Sequence, residues 1–533
     1  MTQPNSTILA AVNLRFALAH ITNYYDTDFF PRTEEFLAIA HFWPEVEAHI
    51  LKTSLDGILN APPLVEPWPK VKGGYRIVHR LEPLDSLIYT AMAKTVSQKV
   101  EESRVSPEIA CSYRFTNDCD SFFGGASGFE VYRARCEFLA KTHKFVLCID
   151  IADFYNKLYL HRLQNALQLA TDEPPSVSKR IEYFLTTLNT KASQGIPVGP
   201  AASIVMSEAA LTDVDKFLYT KGCEHVRYVD DFRIFGNSEE ELEVLLQSLT
   251  SYLHDSHRLS LNSAKTRILE SDQFIQEELN NQYQQEKLKI LDELEGMDPY
   301  SSGAQSAQIN SIIQAEADML LVEGLKKLLG HEVLDLGLVR AIVRRAKANR
   351  AHGIASLLIQ NLKFLAPAIN DIALYLDSIS SDKFFQDHLN SLVELCDAPE
   401  TSIRVVRMWL EWFFSRHLTL LNENKIRNVV FSSERLRPQA QAAITLKSEA
   451  WIKERKTKLL HYAYWDRRSI ILAATLLSKD EREKWLEPLV KGSSLDIMEK
   501  WMARWVLNGS PKTSPHIETY MQECLAAEFM ELF

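Results

Sequence analysis

No stretch of this sequence approaches the roughly 20 consecutive apolar residues that a membrane-spanning helix needs, so no membrane span is expected. The opening segment, Met1 to Phe16, lacks the basic head, long apolar run and small-residue cleavage site of a secretory signal, and a cytoplasmic protein is expected. Glycine and proline are scarce, 18 and 20 among 533 residues, which excludes a collagen-like chain. The seven cysteines (Cys111, Cys119, Cys136, Cys148, Cys223, Cys396 and Cys524) are odd in number, scattered and free of any Cys-x-x-Cys pair. That argues against a zinc ribbon and against a disulfide framework, and they read as small apolar fillers in a reducing compartment. Positive charge is short as well: 59 Lys and Arg face 70 Asp and Glu, a net −11. A nonspecific nucleic-acid coat would be basic. A nucleic-acid enzyme stays open, because the field that matters there is local to a cleft.

What is present is a folded protein of ordinary balance, 46% apolar and 24% charged, long enough for two to four domains. Up to about residue 270, strand-like and helix-like segments alternate. Residues 145–150, FVLCID, form a short apolar run ending in an acid and read as a buried strand. Residues 225–235, HVRYVDDFRIF, place Asp230 and Asp231 between two β-rich flanks, the pattern of a hairpin with a two-residue acidic turn. Between them, residues 211–222 read as the end of a helix closed by Gly222. From about 275 the chain becomes polar and helical, and 301–308, SSGAQSAQ, reads as a linker. Amphipathic helix-length segments then follow one another to the C-terminus without a clear strand, in the manner of stacked helical hairpins, though with no fixed period.

Asp150 at a strand end, with Asp230 and Asp231 at a hairpin turn, is a carboxylate set suited to divalent cations. Hard oxygen ligands suit Mg²⁺, and two such ions about 4 Å apart can activate an attacking hydroxyl and stabilise the leaving oxygen of a phosphoryl displacement. Alone, an Asp-Asp pair is a common surface turn and a strand-end Asp a common terminator. The weight lies in the combination.

That combination resembles the palm of reverse transcriptases, with motifs in matching order over roughly residues 60–275. Asp150, followed by Phe154 and Tyr155, is similar to the first catalytic motif. Gln194-Gly195-Ile196-Pro197, continuing to Ser203, resembles the Gln-Gly-x-Pro loop that opens the helix under the template base. Tyr228-Val229-Asp230-Asp231 resembles the Tyr-x-Asp-Asp hairpin, and Leu261-Asn262-x-x-Lys265 the next motif with its lysine. Upstream, Lys72-Gly73-Gly74-Tyr75-Arg76 resembles the fingers motif and Ser112-Tyr113-Arg114-Phe115 the one after it. The implied fold is α+β: a right-hand-like fingers and palm domain with an antiparallel palm sheet over 1–275, a helical connector over 276–310, and an all-helical, repeat-like domain over 311–533 in place of a conventional thumb.

The resemblance implies roles. Asp150 and Asp230 hold two Mg²⁺ ions, for which Mn²⁺ can substitute, and Asp231 is a weaker ligand. Lys265 lies near the leaving pyrophosphate, and Arg76 pairs with the incoming triphosphate. Gln194 braces a base, and Gly195 lets backbone approach the nucleotide. Tyr155 lies under the sugar, where an aromatic ring clashes with a 2′-hydroxyl. This implies dNTP substrates, with RNA as template or companion and DNA as product.

No RNase H-like acidic set, H-N-H nuclease motif or zinc finger follows Lys265. The Gln194–Pro200 loop, the fingers segment and the helical C-terminal half together resemble bacterial abortive-infection and other defence-associated reverse transcriptases. That group implies antiphage function, homo-oligomers and, in several members, priming from a protein hydroxyl. Tyr24, Tyr25, Tyr462, Tyr464 and Tyr520 are candidates, none singled out. A templated retroelement enzyme and an inactive palm serving as a scaffold stay open as alternatives. Four further features carry weaker signals. The glycine-rich stretch 124–128 reads as a finger loop. The ring-rich segment from Trp409 to Phe414 reads as core at its helical spacing. Tyr462, Tyr464, Trp465, Arg467 and Arg468 are a candidate nucleic-acid channel. The cluster Arg340, Arg344, Arg345, Lys347 and Arg350 is either a solvated helix face or a phosphate contact.

Overall fold

A computed structural model describes residues 4–58, 61–124, 128–171, 176–279, 307–512 and 516–523, with side chains in the helix that opens at Ala307 described from residue 318. The connector core, residues 301–306 of the expected linker, the middle of the glycine-rich loop and Cys524 lie outside the described residues, while the last two linker residues, Ala307 and Gln308, already open a helix.

Two small antiparallel sheets stand among helices. Strands β1 (Leu64–Pro69) and β2 (Tyr75–Arg80) form a hairpin. Its turn needs Gly73 and Gly74, whose φ of 87° and 75° lie where a Cβ is disfavoured. The second sheet has β3 (Phe145–Asp150), β4 (Glu224–Tyr228), β5 (Asp231–Gly236) and β6 (Arg267–Glu270) in the order β4-β5-β3-β6. Strand β3 is a continuous apolar run because both of its faces are covered. Leu147 and Ile149 join one core cluster, and Val146 and Cys148 join another. The expected hairpin is present with its turn one residue earlier than read: Val229 and Asp230 make the turn, while Asp231 is already in β5, opposite Tyr228. Turn geometry decides this, since Val229 takes a φ of 55° and closes the chain reversal before the second acid. The helix α1 (Ala202–Thr220) ends as expected, with Gly222 at φ 71° just beyond it. It is buried along most of its length, against the helices Pro83–Ser103 and Leu160–Thr171.

Residues 307–512 are helices and turns, with no strand among the described residues. Their apolar faces do not form a separate core. Residues from Ala440 to Val506 belong to the same cluster as Ile8 to Leu259, while Leu321 to Val430 form a second cluster that includes Phe30, Trp68 and Val78. Buried indoles stitch the two halves: Trp68 Nε1 donates to the Pro367 carbonyl at 3.2 Å, and Trp409 Nε1 to the Phe29 carbonyl at 3.2 Å. Trp409, Phe413 and Phe414 are core, as their spacing suggests.

The candidate channel around Arg468 is otherwise than expected. Arg468 is fully buried, and its Nη2 donates to Glu82 Oε1 at 2.7 Å while its guanidinium lies 4.2 Å from the Tyr464 ring. Glu82 also accepts the Leu84 N–H at 2.7 Å, capping the helix that begins at Pro83, and receives the Tyr464 hydroxyl at 3.3 Å. Arg467 turns back onto the Tyr462 carbonyl at 2.9 Å. These rings and charges clamp the C-terminal half to the first and leave no open channel at Arg468. Likewise Arg340 and Arg344 are drawn to Asp371, at 3.1 and 2.8 Å, so this part of the basic cluster is spent within the protein.

Glu82→Ala strands the buried Arg468 charge and removes a helix cap. It is expected to cost about 3–5 kcal/mol in urea unfolding, and adding Arg468→Leu recovers part of that loss. Equal stability of the single variant and the parent would refute the clamp.

Candidate active site

Strand register brings the acids together. Asp150 is the last residue of β3 and pairs directly across from Asp231, the first of β5. Asp230, in the adjoining turn, completes the group: one oxygen from each of the three carboxylates lies within 4.8 Å of the others. Like charges opposite one another destabilise a strand pair, so the arrangement works against the sheet. Burial, then Asp231 and Asp150, push the Asp230 carboxyl up to about 7. Asp231 is raised too, mainly by burial, against the opposing pull of Arg233 and Lys265.

Two groups from the segment before β6 answer this charge. Lys265 Nζ donates to Asp150 Oδ1 at 2.7 Å, and Asn262 Nδ2 donates to Asp150 Oδ2 at 3.0 Å. The Asn262 N–H also donates to the Asp150 carbonyl at 2.8 Å, which fixes the segment to the strand end. Partial burial works against the Lys265 ammonium, yet its bond to Asp150 and the three carboxylates raise its pKa. In the sequence, the one signal of Asn262 is its spacing three residues before Lys265. Three crowded oxygen donors with a single ammonium among them fit a hard divalent cation.

A second group lies beside the first. The Ser207 hydroxyl, on α1, donates to the Ile204 carbonyl at 2.9 Å and is left to accept the Tyr155 hydroxyl at 3.2 Å. Burial pushes the Tyr155 hydroxyl well above its ordinary pKa, so it stays a donor. The Gln194–Pro200 loop is fastened to the same segment: Ile196 N–H donates to the Tyr155 carbonyl and Gly195 N–H to the Leu158 carbonyl, both at 2.8 Å. Gln194 Nε2 donates to the Lys157 carbonyl at 3.0 Å. Gly195 has a φ of 93°, and a Cβ there would stand 3.1 Å from the Asn156 carbonyl oxygen. The close approach visible at Gly195 is thus to the protein's own backbone.

Arg76 is exposed on β2 and has no side-chain partner among the described residues. Its hairpin is tied to the loop through His79, whose N–H donates to the Val198 carbonyl at 2.8 Å and whose Nδ1 accepts the Val198 N–H at 3.1 Å. Burial depresses His79 to about 4, which keeps that nitrogen an acceptor. Among the tyrosines considered for priming, Tyr464 and Tyr520 have their hydroxyls engaged, on Glu82 and on the Cys119 carbonyl, while Tyr24 is exposed.

Residues 68–291 match the family model described as reverse transcriptase (RNA-dependent DNA polymerase). The chain carries a reverse transcriptase domain. That domain contains the three acids, Lys265, Tyr155, Gln194, Gly195 and Arg76. No curated protein matches the chain. Among the solved structures that match, two telomerases show slight likeness. One is telomerase from Candida albicans in complex with a TWJ fragment of telomeric RNA, 11% identical, covering 67% of this chain and 66% of that one, with a TM-score of 0.31. The other is apo telomerase from Candida tropicalis, 12% identical, covering 69% and 72%, with a TM-score of 0.32. Likeness this slight has no bearing on function. No helix among the described residues is long and apolar enough to cross a membrane.

The raised Asp230 carboxyl of the reverse transcriptase domain has a consequence for stability. Between the ordinary carboxylate value and about 7, the folded protein retains a proton that the unfolded chain has released. Stability without metal therefore falls as pH rises through that window and levels above it. Asp230→Asn removes this penalty. With EDTA present, the variant is expected to melt a few degrees above the parent at about pH 8, the gap closing as pH falls towards about 4. Parallel melting curves across that range would contradict the crowding.

Proposed function

We propose that this protein is a Mg²⁺-dependent DNA polymerase of the reverse transcriptase type, which extends a DNA product with dNTPs. The observation that carries this reading is the cluster of Asp150, Asp230 and Asp231 inside the matched domain. These residues would hold two Mg²⁺ ions, or Mn²⁺ in their place. When bound, such ions supply activation of the attacking hydroxyl and stabilisation of the leaving oxygen.

The chain's own groups do the rest. Asn262 and Lys265 orient the Asp150 carboxylate, and the Lys265 ammonium lies where negative charge on a departing pyrophosphate is stabilised. Tyr155, held by Ser207, presents a ring to the sugar and disfavours a 2′-hydroxyl. Arg76, exposed on its hairpin and without a side-chain partner among the described residues, is available to a triphosphate. Gln194 and Gly195 shape the loop beside the templating base. In this reading β1 and β2 belong to the fingers, the four-stranded sheet is the palm, residues 276–310 connect, and 311–533 stand in for a thumb as a helical, repeat-like domain. The protein works in the cytoplasm as a homo-oligomer on RNA, either as template or as companion noncoding RNA. Its biological role is antiphage defence, on the strength of the motif resemblance and the helical second half.

The test is incubation of purified protein with Mg²⁺ and labelled dNTPs, first alone and then with a primed RNA template. Incorporation is expected, and Asp150→Ala or Asp230→Ala should reduce it by at least about a hundredfold. Label attached to protein and released by protease supports priming from a side chain. Label only with the annealed primer points to an ordinary templated enzyme. No incorporation under either condition, with phage protection unaltered by Asp230→Ala plus Asp231→Ala, would sink the polymerase reading and leave a scaffold. Tyr155→Val is expected to reduce discrimination against rNTPs by roughly tenfold. Equal preference for rNTPs by the unmodified protein would refute the role given to Tyr155.

A further inference from the structure

The turn that carries Asp230 depends on a residue that cannot hold its conformation unaided. Val229 has a φ of 55°, in the left-handed region that β-branched side chains avoid. Both of its backbone polar groups are captured by side chains. Its N–H donates to Ser112 Oγ at 3.0 Å, and its carbonyl accepts Arg227 Nη1 at 3.0 Å. Ser112 arrives there by register. Residues 109–112 lie along the free edge of β4: Arg227 N–H donates to the Ile109 carbonyl at 2.7 Å, Cys111 N–H to the Arg227 carbonyl at 3.0 Å, and Ala110 is the parallel partner of Arg227. Two residues further along each segment, Ser112 meets Val229.

The capture is rigid because it is anchored from α1. The Ser112 hydroxyl donates to Glu208 Oε1 at 3.0 Å, so its lone pairs face Val229. The other Glu208 oxygen takes Arg227 Nη2 at 3.0 Å and Arg104 Nη2 at 2.8 Å. Arg104 in turn donates to the Ser112 carbonyl at 2.8 Å. Ser112, Glu208 and Arg227 are fully buried, and Asp215 meets the Arg227 guanidinium at 2.6 Å. A buried network in which each carboxylate is met by guanidinium or hydroxyl donors favours one arrangement.

We propose that Ser112 is a positioning residue for the acidic cluster: its hydroxyl, backed by Glu208 and Arg227, holds the Val229 peptide in the conformation that gathers Asp230 with Asp150 and Asp231. It touches neither substrate nor metal and acts through the turn. The proposal rests on the reading of that cluster as a divalent-cation site.

The test is Mn²⁺ binding to the full-length protein, followed by electron paramagnetic resonance without nucleotide. Ser112→Ala is expected to weaken binding by about tenfold, the scale of loss when a group orienting a metal ligand is removed. Placing Val229→Gly in the Ser112→Ala background should recover most of the affinity, because glycine reaches the left-handed region without the clamp. In the polymerase assay, Ser112→Ala should lower kcat and leave the dNTP KM unchanged. A folded Ser112→Ala protein that binds Mn²⁺ as the parent does overturns the proposal and leaves the polymerase reading intact. A parent that binds no Mn²⁺ overturns both. Should Ser112→Ala fail to fold, Ser112→Cys decides: this variant, of similar size with a weaker hydrogen-bonding group, is expected to lose affinity in the same direction, and unchanged affinity overturns the proposal.

Discussion

Three carboxylates that repel one another are held at the point where β3 ends and the β4–β5 turn begins, and much of the surrounding structure answers that repulsion. The register of β3 with β5 sets Asp150 against Asp231, a pairing that no sheet would adopt for its own stability. Lys265 and Asn262 take up the two oxygens of Asp150. Burial and its neighbours drive Asp230 towards protonation in the absence of a cation. A cluster in this condition is a poor structural element and a good receptor for divalent charge, as a functional site that stores strain should be.

The same logic runs through α1. One helix supplies Ser203 to Tyr89, Ser207 to Tyr155, Glu208 to Ser112 and Asp215 to Arg227. It thereby couples the Tyr155 ring to the turn that carries an acid. Charges buried under the sheet are tolerable only because each guanidinium there meets carboxylates and backbone carbonyls at hydrogen-bonding distance. The helical second half extends this economy. Four of its arginines, Arg404, Arg468, Arg437 and Arg344, pair with the buried carboxylates of Glu66, Glu82, Glu35 and Asp371, and its apolar faces complete cores begun in the first half of the chain. The protein's acidity, which argues against a nucleic-acid coat, is thus compatible with a local site built from carboxylates.

Much of the site could be read before any fold was known. The apolar run of β3 announces a strand covered on both faces, the flanks of Asp230 announce a hairpin, and Gly222 announces a helix end. Each is a local pattern of period or turn chemistry, which is what sequence records best. Acidic residues are ordinary turn formers and a left-handed valine is not, so the sequence pattern points to a turn one residue later than the one the chain makes. Rings beside arginines look alike in sequence whether they face a polynucleotide or a buried glutamate, so the Tyr464 to Arg468 segment carries a channel's pattern while serving as a clamp.

By itself the sequence determined the three acids and their order, the strand and hairpin that present them, the loop at Gln194 and Gly195, and the helical character of residues 311–512. The tertiary structure alone decided which distant groups meet. It set Lys265 and Asn262 on Asp150, Ser112 on Val229 across 117 positions, and Arg468 on Glu82 across 386. The reason is physical. Helix and strand propensities follow from neighbours along the chain, whereas the partner of a buried charge is fixed by how whole elements pack, and a single sequence carries no mark of that distance.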